Sequence, residues 1–349
     1  MLKTKQQILN IQPYVPGKSG AKGVKVAKLS SNENPLGCSP KVLEAIANIK
    51  DFSRYPDGSA TALREKIGEL HGLNPNNIIC GTGSDEVLEL VTYAFCEEGD
   101  EVIYTEHGFL VYPIAAMSAG AVPVKVKEKN YTTDVDAILA EVTERTKVVF
   151  VANPNNPTGT YIPKSEMERL HAGLRSDILL VIDNAYAECV TAKDWDDGRD
   201  LALNNENVLL TRTFSKMYGI PALRLGWGYA GDHVIDILNR IRPPFNVNTI
   251  AQIAGIAALD DQEFLAKSIE HNTQWREWLS HQLGGLGLEV IPSQGNFLLV
   301  KFADAAVTFE KLRSNNIMVR EMPAYGLPEF LRISIGTEED MRKLVQVIS

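Results

Sequence analysis

The sequence predicts an α/β fold, in which a mostly parallel central sheet is flanked by helices and a smaller α+β domain follows. Three short, almost continuous apolar runs suit strands buried on both faces of a parallel sheet, namely 148–152, 178–183 and 208–212. Helical patterns such as KSEMERLHAGL separate these runs, and this alternation is typical of βαβ units. Two prolines at 242–248, in RPPFNVN, then interrupt the chain before a helix-rich stretch.

These patterns divide the chain into three predicted segments. Residues 1–30 carry three glycines and two prolines, and they are expected to form an irregular arm that packs on the small domain or on a partner subunit. Residues 31–245 form the predicted large domain, and 246–349 the small C-terminal domain. Ligands of such sheets bind at the carboxyl ends of the strands, so the residues that follow the apolar runs are the first candidates for a site.

Composition narrows the class of protein. The 349 residues are 44% hydrophobic and 23% charged, as in soluble globular proteins, and the net charge of −9 disfavours a nucleic-acid or anionic-membrane partner. No apolar run is long enough to span a bilayer, and the first residues lack the apolar stretch of a signal peptide. Four cysteines without a CxxC pair, Cys38, Cys80, Cys96 and Cys189, predict reduced thiols and a cytoplasmic protein.

Two glycine-rich stretches raise the question of a phosphate site. In IICGTGSDEVLELVTYAF, at 78–95, small residues precede a predicted helix whose free N–H groups would suit a phosphate. An ordinary tight turn between strand and helix fits the same residues equally well. GWGYAG, at 226–231, has the glycine spacing of a dinucleotide loop, but no strand with an acidic residue about 20 positions later completes that unit. A dinucleotide site is therefore disfavoured.

Polar residues follow two of the apolar runs. NPNNPTG, at 153–159, contains two X–Pro bonds, which make a stiff bend and take the cis form in some turns. It is either a stiff loop alone or a rigid mount for the Asn153 amide. Asp183 ends a fully apolar strand, where a carboxylate needs a partner, and Tyr186 follows three residues later. Capping of a helix is the alternative role for Asp183.

A lysine and an arginine complete a possible cofactor site. Lys216 and Arg224 lie eight residues apart in TRTFSKMYGIPALRLGW, and a lone lysine of this kind is usually a surface residue. Together with Asp183, however, they match the needs of pyridoxal 5′-phosphate. Lys216 offers an amine to the aldehyde, and Asp183 an anion that keeps the ring nitrogen protonated. The turn at 83–85, the hydroxyls of Thr213 and Ser215, and Arg224 offer donors to the phosphate.

At these residues the chain resembles the fold-type-I aminotransferases that use pyridoxal phosphate, through NPNNPTG, DNAY and TFSK…LRLG. Within that family it is similar, nearly end to end, to the histidinol-phosphate aminotransferases. The motifs that match in order are PY, SNENPLG, RYPDG, GSDE, GFLVYP, RTFSKMYG, VR and YGLPEFLRISIG. TEHGF departs from the more usual proline-led start before the stacking aromatic residue.

The resemblance implies a role for each matching position. Lys216 would form the imine with the cofactor and move protons, Asp183 would pair with the ring nitrogen, and Phe109 would stack on the ring. Asn153 and Tyr186 would hydrogen-bond its phenolic oxygen. The residues implied to hold the phosphate are Ser84, Asp85, Thr213, Ser215, Arg224 and, from a partner subunit, Tyr55. The residues implied to receive the substrate are Tyr14, Arg320 and Arg332. The role of Tyr55 implies a homodimer, and no metal is expected.

The implied reaction is transfer of the amino group of histidinol phosphate to 2-oxoglutarate, by a ping-pong scheme, which yields imidazole acetol phosphate and glutamate in histidine biosynthesis. The residues themselves support part of this, since two arginines and a tyrosine suit a ligand that carries phosphate or carboxylate. Surface ion pairs are the other role for these arginines. An aromatic or broad-specificity aminotransferase is the nearest alternative, and a decarboxylase of similar fold is weaker. A ligand-sensing domain of a transcription regulator would need a basic helix–turn–helix segment, which the sequence lacks.

Overall fold

The computed structural model describes residues 4, 6–13 and 26–349, and Tyr14 lies outside these ranges. The described strands are β1 (Ala27–Lys28), β2 (Ile78–Gly81), β3 (Glu101–Thr105), β4 (Val122–Val126), β5 (Thr146–Ala152), β6 (Leu179–Asp183), β7 (Val208–Thr213), β8 (Gly226–Ala230), β9 (Glu289–Ile291), β10 (Phe297–Lys301), β11 (Ile317–Met318), β12 (Arg320–Glu321) and β13 (Phe330–Ser334). The described helices are α1 (Gln6–Leu9), α2 (Pro40–Ala47), α3 (Thr61–His71), α4 (Ser84–Phe95), α5 (Val111–Ala119), α6 (Val135–Ala140), α7 (Lys164–Gly173), α8 (Arg199–Asn204), α9 (Asp232–Ile241), α10 (Thr249–Leu259), α11 (Gln262–Gly285), α12 (Ala305–Ser314) and α13 (Glu338–Ile348).

The largest sheet has seven strands in the order β2-β8-β7-β6-β5-β3-β4. Strands β7, β6, β5, β3 and β4 run parallel to one another, and β8 runs antiparallel to both of its neighbours, β7 and β2. The three apolar runs form β5, β6 and β7, and every residue of β6 and β7 is buried. The α/β class predicted from the sequence is confirmed. GWGYAG forms β8, and its last residue, Gly231, is the N-cap of α9.

A second sheet is antiparallel, with the order β12-β13-β10-β9, and it packs with α11, α12 and α13 around its own apolar core. Strand β1 pairs in parallel with β11, so the chain just before the large domain is attached to this smaller unit. The boundary predicted near residue 245 remains a prediction. Helix α10, which follows that boundary, contributes Ala251, Ala254 and Ala258 to the same core as the large sheet.

The sheet topology determines where a ligand can bind. Residues Ala152 and Asp183 face each other in the register of β5 and β6, and Asp183 faces Thr211 of β7. The carboxyl ends of these three strands therefore meet at one edge of the sheet. The loop after β5 starts there, and its Asn153–Pro154 and Asn156–Pro157 peptide bonds are both cis. Within the described residues, no helix is long and apolar enough to cross a membrane.

Candidate active site

A cavity of about 270 Å³ lies at the carboxyl ends of β5, β6 and β7. Ten of the residues singled out in the sequence line it, and they are Ser84, Asp85, Phe109, Asp183, Tyr186, Thr213, Ser215, Lys216, Arg224 and Arg332. They come from five separate stretches of the chain, which the fold brings together. The strand ends, the loops after them and Arg332 of the smaller sheet thus line one cavity.

Asp183 is the anion at the floor of the cavity, and only 4% of its surface is exposed. Tyr112 donates a hydrogen bond of 2.7 Å to Oδ2, while Thr211 and the backbone N–H of Ala185 donate to Oδ1 at 3.1 and 3.2 Å. Burial raises the pKa of Asp183, whereas the hydrogen bonds from Tyr112 and Thr211 lower it. The effect of burial is the larger, so the pKa of Asp183 lies above its ordinary value. The next helical turn begins after Tyr186, so Asp183 does not cap a helix.

Lys216 lies in the loop after β7, half-buried, and not on an open surface as an average lysine would. Its Nζ is 5.5 Å from the centroid of the Tyr186 ring, and both residues line the cavity with Asp183. An amine, a phenol and a carboxylate therefore line the same cavity. This is the combination that the sequence predicted for an aldehyde cofactor with a basic ring nitrogen.

A second group of donors surrounds the start of α4. Gly83 precedes this helix with φ of 87°, and a side chain there would lie 2.5 Å from Nη2 of Arg224. The absence of a side chain lets Arg224 approach the free N–H groups of the helix. Nη2 of Arg224 is 3.2 Å from Asp85 Oδ2, and its Nη1 donates to Ser215 Oγ at 3.3 Å. Thr213 Oγ1 accepts from the N–H of Ser215 at 3.1 Å.

Aromatic rings form one side of the cavity. Phe109 lines it and meets the edge of Tyr112 at a centroid distance of 5.9 Å, with the ring planes at 89°. Tyr112 in turn stacks on Phe150 of β5, with centroids 4.8 Å apart. Phe109 is half-buried, so part of its side chain lines the cavity while the rest packs against Tyr112.

Asn153 is not brought into the cavity. Its amide binds the backbone of Ile162, since Nδ2 donates to the carbonyl at 3.1 Å and Oδ1 accepts from the N–H at 2.9 Å. Asn156, three residues later in the same motif, lines the cavity instead. Its Oδ1 accepts from Nη1 of Arg332 at 2.5 Å. The role implied for Asn153 at the cofactor therefore suits Asn156, and Asn153 anchors the loop.

Of the two described residues implied to bind the substrate, Arg332 lines the cavity and Arg320 does not. Arg332 is buried, donates from Nη2 to the carbonyl of Ser30 at 2.9 Å, and lies over the ring of Phe297 at 5.4 Å. Arg320 lies directly opposite Arg332 in the register of β12 and β13, so the two side chains leave the sheet on one face. Arg320 is half-buried and is not among the residues that line the cavity.

Tyr55 also lies away from the cavity. It is 82% exposed and stacks on the 44% exposed ring of Phe245, with centroids 4.5 Å apart. The position of this aromatic pair leaves Tyr55 accessible to another molecule, as its implied role in a partner's site requires.

The segment Ser30–Glu33 also lines the cavity, and sequence reasoning assigned it no role. Asn32 of this segment donates from Nδ2 to the phenol oxygen of Tyr186 at 2.9 Å. The motif SNENPLG marked the segment, but nothing in it indicates a contact with a residue 154 positions away. Within the described part of the chain, no cluster of three or more His, Cys, Asp or Glu side chains could hold a metal ion.

Comparison with known proteins agrees with this geometry. The family model described as aminotransferase class I and II matches residues 24–348. The histidinol-phosphate aminotransferase of Rhodospirillum centenum is 50% identical over 347 residues, which cover 98% of this chain and 96% of the relative. That of Maricaulis maris is 49% identical over 98% of this chain and 96% of its own length. The crystal structure of the Sinorhizobium meliloti histidinol-phosphate aminotransferase with pyridoxal 5′-phosphate superposes with a TM-score of 0.90 at 27% identity, covering 100% of this chain and 98% of that one.

Proposed function

The chain belongs to the class I and II aminotransferases, and on that premise we propose that it transfers the amino group of histidinol phosphate to 2-oxoglutarate in histidine biosynthesis. The observation that supports this substrate is the 50% identity, over 98% of the chain, to a relative named histidinol-phosphate aminotransferase. The cofactor is pyridoxal 5′-phosphate, the molecule bound in the similar Sinorhizobium meliloti structure.

The surroundings of Asp183 fit this cofactor. Its three hydrogen-bond donors are a phenol, an alcohol and a backbone N–H, none of which carries a positive charge. A protonated ring nitrogen at ~4 Å would stabilise the carboxylate by about 4 kcal/mol at an effective dielectric constant near 20. That energy equals about three pKa units, which offsets the cost of burying the anion. When bound, pyridoxal phosphate supplies an aldehyde that takes up the amino group and a ring that accepts electron density.

Four side chains that line the cavity would act directly on the cofactor or the substrate. Lys216 would hold the cofactor through Nζ, and its free amine would receive the proton from the substrate α-carbon. Tyr186 and Asn156 would hydrogen-bond the phenolic oxygen, and Phe109 would cover one face of the ring. A ligand bound against Phe109 and Tyr112 would displace water from around this proton transfer, which would strengthen the charge interactions within the cavity.

Two separate groups of contacts serve the two anionic ends of the ligands. Ser84, Asp85, Thr213, Ser215 and Arg224 surround the start of α4 and would hold the cofactor phosphate through N–H, hydroxyl and guanidinium donors. The substrate would bind at Arg332 and its cross-strand neighbour Arg320, with Tyr14 from the N-terminal arm. Guanidinium groups suit both phosphate and carboxylate, as the two half-reactions require.

A homodimer is part of the proposal. Several large apolar side chains between α1 and α3 are exposed, with Leu43 at 60% and Phe52 at 66%, and Tyr55 of the same stretch stacks on Phe245, the last residue of the predicted large domain. Covering such a surface by a second copy would bring Tyr55 to the partner's phosphate site. We also propose a cytoplasmic location, which the four free cysteines accord with.

A substrate panel tests the function. Specificity constants with 2-oxoglutarate would be measured for histidinol phosphate, histidinol, phenylalanine and tyrosine. The specificity constant for histidinol phosphate should exceed that for histidinol by about 10- to 100-fold, because charge-assisted bonds to the phosphate contribute about 1.5–3 kcal/mol of binding free energy. Higher values for the aromatic amino acids would favour the broad-specificity alternative instead. Borohydride reduction followed by peptide mapping should place the cofactor on Lys216, and a label on another lysine would remove that assignment.

A further inference from the structure

The hydroxyl of Tyr186 accepts a hydrogen bond from Asn32, a side chain whose orientation is fixed by contacts with the smaller sheet. Asn32 is 1% exposed, adopts a left-handed backbone with φ of 55°, and donates from Nδ2 to the Tyr186 oxygen at 2.9 Å. It lies between the smaller sheet and the large domain, and its carbonyl accepts from Nδ2 of Asn296 at 2.8 Å. Both its backbone and its side chain are therefore held in place.

Ser334 of β13 determines which end of the Asn32 amide faces the tyrosine. The backbone N–H of Asn32 donates to Ser334 Oγ at 2.8 Å, and that hydroxyl donates its own proton to Asn32 Oδ1, also at 2.8 Å. The oxygen end of the amide is thereby occupied by a donor. The nitrogen end, which carries only donors, is left to face Tyr186.

A phenol hydroxyl has one proton to donate, and the contact with Asn32 determines the direction in which Tyr186 donates it. Because Asn32 donates to the Tyr186 oxygen, the hydroxyl cannot give its proton back to Asn32 and must direct it elsewhere. Tyr186 lines the cavity, so the cavity is the direction left for that donor. Burial raises the pKa of Tyr186, which keeps the proton on the phenol across the physiological pH range.

We propose that Asn32, held by Ser334, is a positioning residue that directs the Tyr186 hydroxyl proton toward the phenolic oxygen of the bound cofactor. This inference rests on the proposed function, and it adds a residue of the N-terminal segment to the control of the cofactor's protonation. A hydrogen bond that Tyr186 donates to this oxygen lowers the oxygen's affinity for protons. The pH midpoint at which the cofactor's visible absorbance changes is lowered with it.

The test is an absorbance titration of holoenzyme variants, which does not depend on turnover. Asn32→Gly removes the amide and tolerates the left-handed backbone, and Asn32→Asp keeps the shape but replaces the donor with an acceptor. Both should raise the midpoint, by about one pH unit for the loss of one directed hydrogen bond. Ser334→Ala should raise it as well, because it releases the amide. The carboxylate of Asn32→Asp would draw the phenol proton away from the cavity, so its shift should be the largest.

Asn77→Ala is the matched control. It removes another buried amide, which donates to the carbonyl of Ala230 and to Asp232 far from the cavity, and its midpoint should equal that of the wild type. If the pH midpoint is unchanged in both Asn32 variants, with the cofactor bound and the fold intact by thermal melting, this inference is overturned and the proposed function is not. A shift in Asn32→Gly without one in Asn32→Asp would mean that the amide is reversed and would overturn it too. Absence of any visible absorbance in the wild type would instead reject the cofactor, and with it the proposed function.

Discussion

The phenol of Tyr112 lies 2.7 Å from Oδ2 of Asp183, and both side chains are buried. Tyr112 is fixed by its stack on Phe150, and Thr211 holds the other carboxylate oxygen at 3.1 Å. The carboxylate thus has a fixed orientation before any ligand enters. A preorganised anion of this kind stabilises a positive charge without rearrangement during the reaction.

The first prediction concerns this anion. Asp183→Asn should still bind pyridoxal phosphate through Lys216 and the phosphate donors, but kcat should fall on the order of 10³-fold, because about 4 kcal/mol of stabilisation is lost. Cofactor absorbance and steady-state rates measure the two effects separately. Tyr112→Phe is the control that keeps the charge and removes one bond, and its loss should be nearer tenfold. Turnover close to wild type in Asp183→Asn would contradict the role of the charge.

The second prediction is a pH dependence of the cofactor-free protein. Burial raises the pKa of Asp183 above its ordinary value of 3.8, so above the folded-state pKa the ionised group favours the unfolded chain. Below pH 3.8 both states hold the proton and this penalty disappears. Apo Asp183→Asn should therefore melt at a higher temperature than the apo wild type at pH 7, and the gap should close as the pH falls toward 4. A wild type that melts higher at pH 7 would contradict the direction of the shift.

The third prediction separates two asparagines of one motif. Asn156→Ala should change the visible absorbance and lower kcat/KM, since this amide lines the cavity. Asn153→Ala should leave the absorbance unchanged and reduce the free energy of unfolding by about 1–3 kcal/mol, because it leaves two backbone groups of Ile162 without partners. Absorbance titrations and chemical unfolding of both variants check this. The opposite pattern would restore the cofactor role to Asn153.

These two residues also mark the limit of prediction from sequence. The apolar runs identified β5, β6 and β7, because a strand buried on both faces needs continuous apolar residues. They also located the residues at the strand ends, and Asp183, Lys216 and Arg224 line one cavity. Asn153 and Asn156 have the same chemistry, however, and only the path of the backbone after β5 decides which one faces inward. Asn32 carried no signal, since its partners Tyr186 and Ser334 are distant in sequence.

The prolines near residue 245 illustrate a related limit. They mark an interruption of the chain, but a turn signal does not indicate which core the next helix joins. Helix α10 follows that interruption and still packs its small residues Ala251, Ala254 and Ala258 with the core of the large sheet. Gly255 of this helix leaves room for Leu225, since a side chain there would lie 2.5 Å from it.

The fourth prediction tests whether Tyr55 completes the partner's site. Tyr55→Ala and Lys216→Ala should each be nearly inactive, whereas a mixture unfolded and refolded together should recover activity. Random pairing makes half of the dimers hybrids, each with one intact site of two, so about a quarter of wild-type activity is expected. If Tyr55 served its own subunit, hybrids would contain no intact site and the mixture would stay inactive. Sedimentation of each variant verifies that the dimer forms.

The last prediction assigns the substrate phosphate to Arg320 and Arg332, which face each other across β12 and β13. Each charge-assisted bond to a phosphate contributes about 1.5–3 kcal/mol, so Arg320→Ala and Arg332→Ala should each lower kcat/KM for histidinol phosphate on the order of 10- to 100-fold. The loss for histidinol, which lacks the phosphate, should be smaller in both variants. Arg332 also holds Asn156 Oδ1, so its removal should reduce turnover of histidinol to some degree, whereas Arg320→Ala should leave it nearly unchanged. Equal losses for the two substrates in both variants would show that neither arginine binds the phosphate, and would favour a broad-specificity aminotransferase.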